Sequence, residues 1–258
     1  MVPAAFVVVV AGVFGLLIGS FLNAWAYRLP REISIARGRS FCPTCSAPIN
    51  WYDNVPLASY LALRGRCRAC KAHISLRYPL GEAGTAVLFV LAAVLTGASW
   101  LLPLQLLFIS VLVLVSQTDL EFHEVPGDVL LVAGTVGLVG MIALHPHRWW
   151  VYVAASLGAA GFLLLVRFLY KVVRGVTGMG IGDVSISFFL GAFLGAAVVP
   201  AMFLGFLLGA VAGIVVLTRE EGNMKTALPF GPFLAVGGVV MLFAGQPIIH
   251  AYLHLIAR

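Results

Sequence analysis

The run VPAAFVVVVAGVFGLLIGSFLNAWA, Val2–Ala26, decides the fold. It holds no charged residue and exceeds the roughly 20 apolar residues that a helix needs to cross a bilayer. A signal peptide would carry a basic segment before such a run and a small-residue cleavage site after it. Neither is found here, so the run reads as a retained membrane span. The rest of the chain follows suit. Of its 258 residues 61% are hydrophobic and 10% are charged, against about one quarter charged in soluble domains. Seven further apolar runs can be marked, at roughly Tyr78–Leu95, Trp100–Thr118, Val129–Leu144, Trp149–Leu169, Val184–Val199, Ala201–Leu217 and Leu228–Ala244. Backbone polar groups in lipid must be satisfied within the segment, which requires helices. The expected fold is therefore an all-α polytopic membrane protein of about eight transmembrane helices. The sixth and seventh runs are short and meet at Pro200, so they read as a tight hairpin or as helices only partly exposed to lipid.

The basic residues orient this bundle. If alternate gaps share a side, one side holds Arg28–Arg77, the loop near Asp119, the loop Arg167–Gly182 and the loop Thr218–Ala227. That side carries 14 of the 16 lysines and arginines. The positive-inside rule puts it in the cytoplasm and both termini outside, in the periplasm. The net charge of +6 is thus a topology signal that needs no nucleic-acid partner; membrane lipid is the expected surrounding.

The one sizeable polar segment, Arg28–Arg77, holds all four cysteines, Cys42 and Cys45 in CPTC and Cys67 and Cys70 in CRAC, with 21 residues between the pairs. Two such pairs can present four thiolates tetrahedrally to Zn(II). Two disulfides or a redox pair are the competing readings. A cytoplasmic location disfavours structural disulfides, and no βαβ pattern supports a thioredoxin-like site. Four thiolates leave no open position for water, so a structural zinc is expected, supplying much of the folding energy of a small loop domain.

Most of the ten acidic residues fall on the same predicted face. Asp119 ends the third span. Asp183 begins the sixth, at the end of GMGIGD. An Asp just before a helix is a good N-cap, and an acid at a span edge can be a solvated group. Acids bordering spans are also often functional, and two at one depth suggest a pair. Two carboxylates sharing a site cannot easily both ionise. The ionised one can activate water while the protonated one donates to a carbonyl oxygen, which is the logic of aspartic proteases. Gly180 and Gly182 keep side chains away from Asp183, so that a substrate backbone or a neighbouring helix can come close. Glu121, His123, Glu124 and Asp128 could join Asp119 in a metal site or form a solvated loop. Asn23 and Ser20, in the first span, suit hydrogen bonds between helices. His145, His147, His250 and His254 fall on the opposite side as interfacial or solvated groups.

Six features in order resemble the bacterial type IV prepilin leader peptidases, a GxGD group of aspartyl proteases. GSFLNAWAYRLPR, Gly19–Arg31, is similar to the family's first-span signature, and the two cysteine pairs follow. ISLRYPLGE, Ile74–Glu82, is similar to the start of its second span. Asp119 matches the first catalytic aspartate, and GMGIGD, Gly178–Asp183, matches the GxGD motif with Asp183 as the second. PFGPFLAVG, Pro229–Gly237, resembles the last-span signature. The resemblance covers nearly the whole chain. It implies cleavage of the basic leader of prepilins and pseudopilins after a glycine, at the cytoplasmic face of the inner membrane. It also implies methylation of the new N-terminal residue with S-adenosylmethionine, an activity linked with the cysteine loop. Glu82 matches a family acid that could contact the acceptor amine or the cofactor; equally it could favour a helix N-terminus.

The resemblance divides the chain into a first helix (1–27), a zinc-binding loop domain (28–77), a seven-helix peptidase core (78–245) and a periplasmic tail (246–258). It also has departures. Ser185 stands where the family has a lysine, Gly127 separates Pro126 from Asp128, and Ala24-Trp25-Ala26 replaces a valine-rich stretch. Two other classes stay open on the residues alone. One is an ion-coupled transporter with Asp119 and Asp183 as ligands; the other is a non-catalytic scaffold of pilus or secretion assembly.

Overall fold

The computed structural model describes residues 3–35, 38–176, 179–219 and 229–256, and among them every long element is an α-helix. They are α1 (Ala4–Arg28), the short α2 (Ala58–Ala62), α3 (Arg77–Thr96), α4 (Leu101–Phe122), α5 (Gly127–Leu144), α6 (Trp149–Arg174), α7 (Ile181–Leu194), α8 (Val198–Arg219) and α9 (Gly231–Ile256). A long helix thus stands in each of the eight apolar runs. Six helical segments are long and apolar enough to cross a membrane, and one of them, Ile181–Thr218, takes in both α7 and α8. Among the described residues these six segments stand where about eight transmembrane helices were expected, so the number eight is not confirmed. The 14 residues of α7 rise about 21 Å, short of a hydrocarbon core of about 30 Å. The apolar part of α9, Gly231–Gly245, is likewise a shorter helix.

The break between the two short helices also moves. It falls at the single 3-10 turn Gly195–Ala197, where Gly195 has φ of 55°. Pro200, expected at the corner, lies in the first turn of α8. A proline is tolerated there because that turn's N–H groups have no partner within the helix. Backbone helix also continues through 246–256, with Pro247 inside it, where the sequence suggested a tail.

Two compact units divide the chain, Met1–Gln117 and Thr118–Arg258. In the first, α1 packs along α3. Asn23 on α1 donates from Nδ2 to the Tyr78 carbonyl at 2.9 Å, and its Oδ1 accepts from Gln117 Nε2 at 2.9 Å. Helices in lipid gain little from apolar contact, so bonds of this kind hold them in register. Arg28, buried at the end of α1, donates to the carbonyls of Ser34 and Arg39 and ties the following loop to the helix.

In the second unit α7 is the central helix, packed by α5 and α6, while α8 pairs with α9. Nearly every residue from Val184 to Phe193 is buried. That explains a sequence apolar on all sides, since a helix with no polar face needs neighbours all round. Gly191 lets α6 and α7 touch: a Cβ there would lie 2.5 Å from the Ser156 Cα. Gly191→Val should therefore push the helices apart and destabilise the second unit by about 1–3 kcal/mol, read as a lower thermal midpoint in detergent.

Candidate functional site

Asp119 lies in the last turn of α4 and is only 6% exposed. Its Oδ2 accepts a 2.7 Å hydrogen bond from the backbone N–H of Gly231, the first residue of α9. Helix N-termini carry unpaired N–H groups and a partial positive charge, so they suit a carboxylate. His123, in a left-handed conformation with φ of 56°, donates its N–H to the Asp119 carbonyl at 3.0 Å and turns the chain out of α4.

That turn leads to Val125, which packs where Gly182 has no side chain. A Cβ at Gly182 would lie 2.5 Å from the Val125 Cβ, so only glycine fits the close approach. Asp183, half-buried, sits at the third position of α7, with Gly180 at the N-cap, rather than at the cap itself. Its carboxylate receives a hydrogen bond from the Gly180 backbone and lies within electrostatic reach of Asp119. A Cβ at Gly180 would stand 3.6 Å from Asp183 Oδ2, so the glycine keeps that flank of the carboxylate clear. Gly178 lies outside the described residues. The second unit thus brings together two carboxylates from α4 and α7, with backbone donors on each and little side-chain bulk around Asp183.

A second centre lies in the first unit. The four Sγ atoms of Cys42, Cys45, Cys67 and Cys70 are all within 4.8 Å of one another, with Cys42 and Cys70 3.9 Å apart. Four sulfurs about 2.3 Å from a tetrahedral Zn(II) would stand about 3.8 Å apart, so the cluster fits that ion. The loop reaches this geometry by repeating itself 25 positions on. Ser46 N–H donates to the Cys42 carbonyl and Lys71 N–H to that of Cys67; Cys42 N–H donates to Ala47 and Cys67 N–H to Ala72. Ser46 and Lys71 are both left-handed, and bridges Phe41–Pro48 and Arg66–His73 close the two turns. Burial pushes the Cys42 thiol up, but hydrogen bonds from the Cys45 and Thr44 backbone and from the Cys67 and Cys45 thiols bring it down to about 6. At Cys70 the Ala72 backbone bond lowers the thiol, yet hydrogen bonding with Cys45, burial, and further bonds to Cys67 and Cys42 push it up to about 11. Crowded thiols of this kind release protons most readily to a metal. Among the described residues this is the one group of His, Cys, Asp and Glu gathered closely enough to hold an ion; Glu121, His123, Glu124 and Asp128 do not gather around Asp119.

Glu82, buried on α3, accepts from the Leu57 backbone N–H at 2.8 Å through Oε2. Leu57 precedes α2 with φ of 57°, a strained conformation for leucine. Glu82 therefore holds the loop's short helix against α3. Arg68 grips Asp53 with two bonds of 2.7 and 2.8 Å and holds its carboxyl below the usual range.

Residues 13–96 match the family model Bacterial Peptidase A24 N-terminal domain, and residues 106–217 match Type IV leader peptidase family. Three similar proteins carry the name Prepilin leader peptidase/N-methyltransferase. That of Stutzerimonas stutzeri is 37% identical over 97% of this chain and 95% of its own length. That of Pseudomonas aeruginosa is 35% identical over 97% and 94%, and that of Neisseria gonorrhoeae 34% over 97% and 95%. The chain belongs to the type IV leader peptidase family. No solved structure matches it.

A Cβ at Gly127 would stand 3.6 Å from Ser185 Oγ, so these two residues face each other across α5 and α7. The four cysteines expected to gather do so, and the two aspartates singled out in the sequence lie in the same unit. The reading of the sequence missed the Gly231 amide, a backbone donor with no signature in residue type, and the 25-residue repeat, whose signal was C-x2-C-x-A-x-I at Cys42–Ile49 and again at Cys67–Ile74. Replacing Cys67 with serine should lower bound zinc from about one per chain to near zero and raise hydrogen exchange across the loop while leaving the second unit unchanged. Zinc absent from the wild-type protein by metal analysis would refute the site.

Proposed function

We propose that this chain cleaves the basic leader of type IV prepilins and pseudopilins after a glycine, at the cytoplasmic face of the inner membrane. It then methylates the new N-terminal residue with S-adenosylmethionine. The observation that supports the cleavage reading best is that Asp119 and Asp183 lie in one unit, where Val125, just past the end of the Asp119 helix, packs against Gly182 beside Asp183. One carboxylate, ionised, takes a proton from water as the water attacks the glycine carbonyl carbon. The other, protonated, gives its proton to the carbonyl oxygen. Collapse of the tetrahedral species breaks the C–N bond, and a carboxyl returns a proton to the departing amine. The Gly231 and Gly180 backbone groups hold the two acids in place, and neither a metal nor a nucleophilic side chain is called for.

The methyl transfer is assigned to the first unit. Cys42, Cys45, Cys67 and Cys70 would hold a structural Zn(II) that gives the loop its shape. Between α1 and this loop is a cleft of about 280 Å³ whose lining includes Ser20, Phe21, Trp25, Ser40 and Asn54. It is near the lower end of the roughly 300–1,000 Å³ of ligand sites. Its lining suits an amphiphilic nucleoside cation: Phe21 and Trp25, with rings 5.6 Å apart, offer aromatic faces, and the hydroxyls and amide offer hydrogen bonds. S-adenosylmethionine, when bound, supplies an electrophilic methyl group on sulfonium. Glu82 serves this half by holding the loop, with Oε2 engaged by Leu57. The segments 1–27 and 28–77 then form the methyl-transfer half, with 78–245 as the peptidase core.

The test is cleavage of a prepilin by purified protein in detergent, read by mass spectrometry. Asp119→Asn and Asp183→Asn should each lower kcat by at least about a hundredfold, and both should still methylate a pre-cleaved pilin. Glu82→Ala should lower methylation and spare cleavage. No cutting by a folded wild type across several prepilins would shift the reading to an assembly scaffold.

A further inference from the structure

Arg167 is an unusual residue for its place. It lies on α6 within a segment long and apolar enough to cross a membrane, and its neighbours Leu164, Leu165, Val166, Phe168 and Leu169 are all exposed. A guanidinium among lipid-facing side chains is costly, and such charges point inward or to a partner. Topology does not require it, because Lys171 and Arg174 already supply exposed positive charge in the last turn, where it also complements the helix dipole. Arg167, one turn deeper and half-buried, instead donates from Nη1 to the carbonyl of Met179.

The identity of that carbonyl matters. Met179 C=O and Gly180 N–H belong to one planar peptide unit, and the Gly180 backbone is the one that hydrogen-bonds the Asp183 carboxylate. The guanidinium thus holds one side of the peptide whose other side holds the aspartate. A donor on the carbonyl polarises the peptide and strengthens its N–H as a donor. Ser185, on the same helix as Asp183, is buried and uncharged, its Oγ 3.5 Å from the Ile181 carbonyl, so α7 offers no cation of its own there.

We propose that Arg167 is a positioning residue for peptide cleavage, fixing the Met179–Gly180 peptide and through it the Asp183 carboxylate. This rests on the cleavage reading above, and wild-type cleavage is measured first: if the wild type cuts no prepilin, that reading fails and this inference with it. Where the wild type cuts, Arg167→Gln should lower kcat about ten- to a hundredfold, the size expected of a misplaced reacting group, with KM little changed. Arg167→Lys, which keeps the charge and one donor, should stay within about fivefold of wild type. Lys171→Gln should match wild type. Methylation of a pre-cleaved pilin should be the same in all, and a thermal midpoint in detergent equal to that of the wild type separates lost positioning from lost folding. Wild-type cleavage by Arg167→Gln would overturn the inference. So would Arg167→Lys as slow as Arg167→Gln, because packing and not charge would then be the contribution. Should Arg167→Gln fail to fold, the comparison of Arg167→Lys with wild type decides: a loss beyond about tenfold overturns it.

Discussion

The hydrogen bond from Gly231 N–H to the Asp119 carboxylate joins residues 112 positions apart and sets the geometry of the second unit. A carboxylate at the edge of a hydrocarbon layer cannot rely on water for its partners. It must find donors in the chain itself, and the start of a helix is the cheapest source, since its first N–H groups are otherwise unpaired. That single requirement places the beginning of α9 at the end of α4. Asp183 meets the same requirement within its own turn, through Gly180. Each acid is thus anchored to backbone, which cannot rotate away as a side chain can.

Close backbone approach follows from the same constraint. To bring α7 up to the end of α4, the chain must pass Val125 across the first turn of α7, and Gly182 leaves the space for it. The motif glycines are therefore not interchangeable. Gly182 answers a steric demand from a neighbouring loop, whereas Gly180 leaves room beside the carboxylate. Burying α7 on nearly all sides completes the arrangement, because a rigid central helix holds Asp183 while the lipid-facing helices absorb the surroundings.

What could be read from the sequence divides along physical lines. Apolar runs mark helices because hydrophobicity must match the bilayer, so α1, α3, α4, α5 and α6 were legible to within a few residues. The sixth run was harder. The 14-residue length of α7 and its burial are both consequences of packing, and Pro200 suggested a corner that Gly195 in fact makes. Cysteine spacing and acid placement are side-chain signals, and both were legible. Donors from backbone were not, since every non-proline residue has one. Arg167 was read as part of the cytoplasmic charge pattern, and nothing in its residue type distinguished a topology signal from a side chain folded back onto the Met179 carbonyl.

The two halves solve the problem of order in different ways. Helices of the second unit are held by close packing and by bonds between backbone and carboxylate. The polar loop of the first unit has no such core. Its turns repeat around four sulfurs, its start is tied to α1 by Arg28, and its short helix is tied to α3 by Glu82. A loop anchored at three points in this way can be shaped by metal without disturbing the helices beneath it. Peptide cleavage needs fixed acids and a water; methyl transfer needs a shaped cleft for a large cation. On the proposed reading, buried helices would carry the first and a loop shaped by metal the second, so that each chemistry has the environment it needs within one chain.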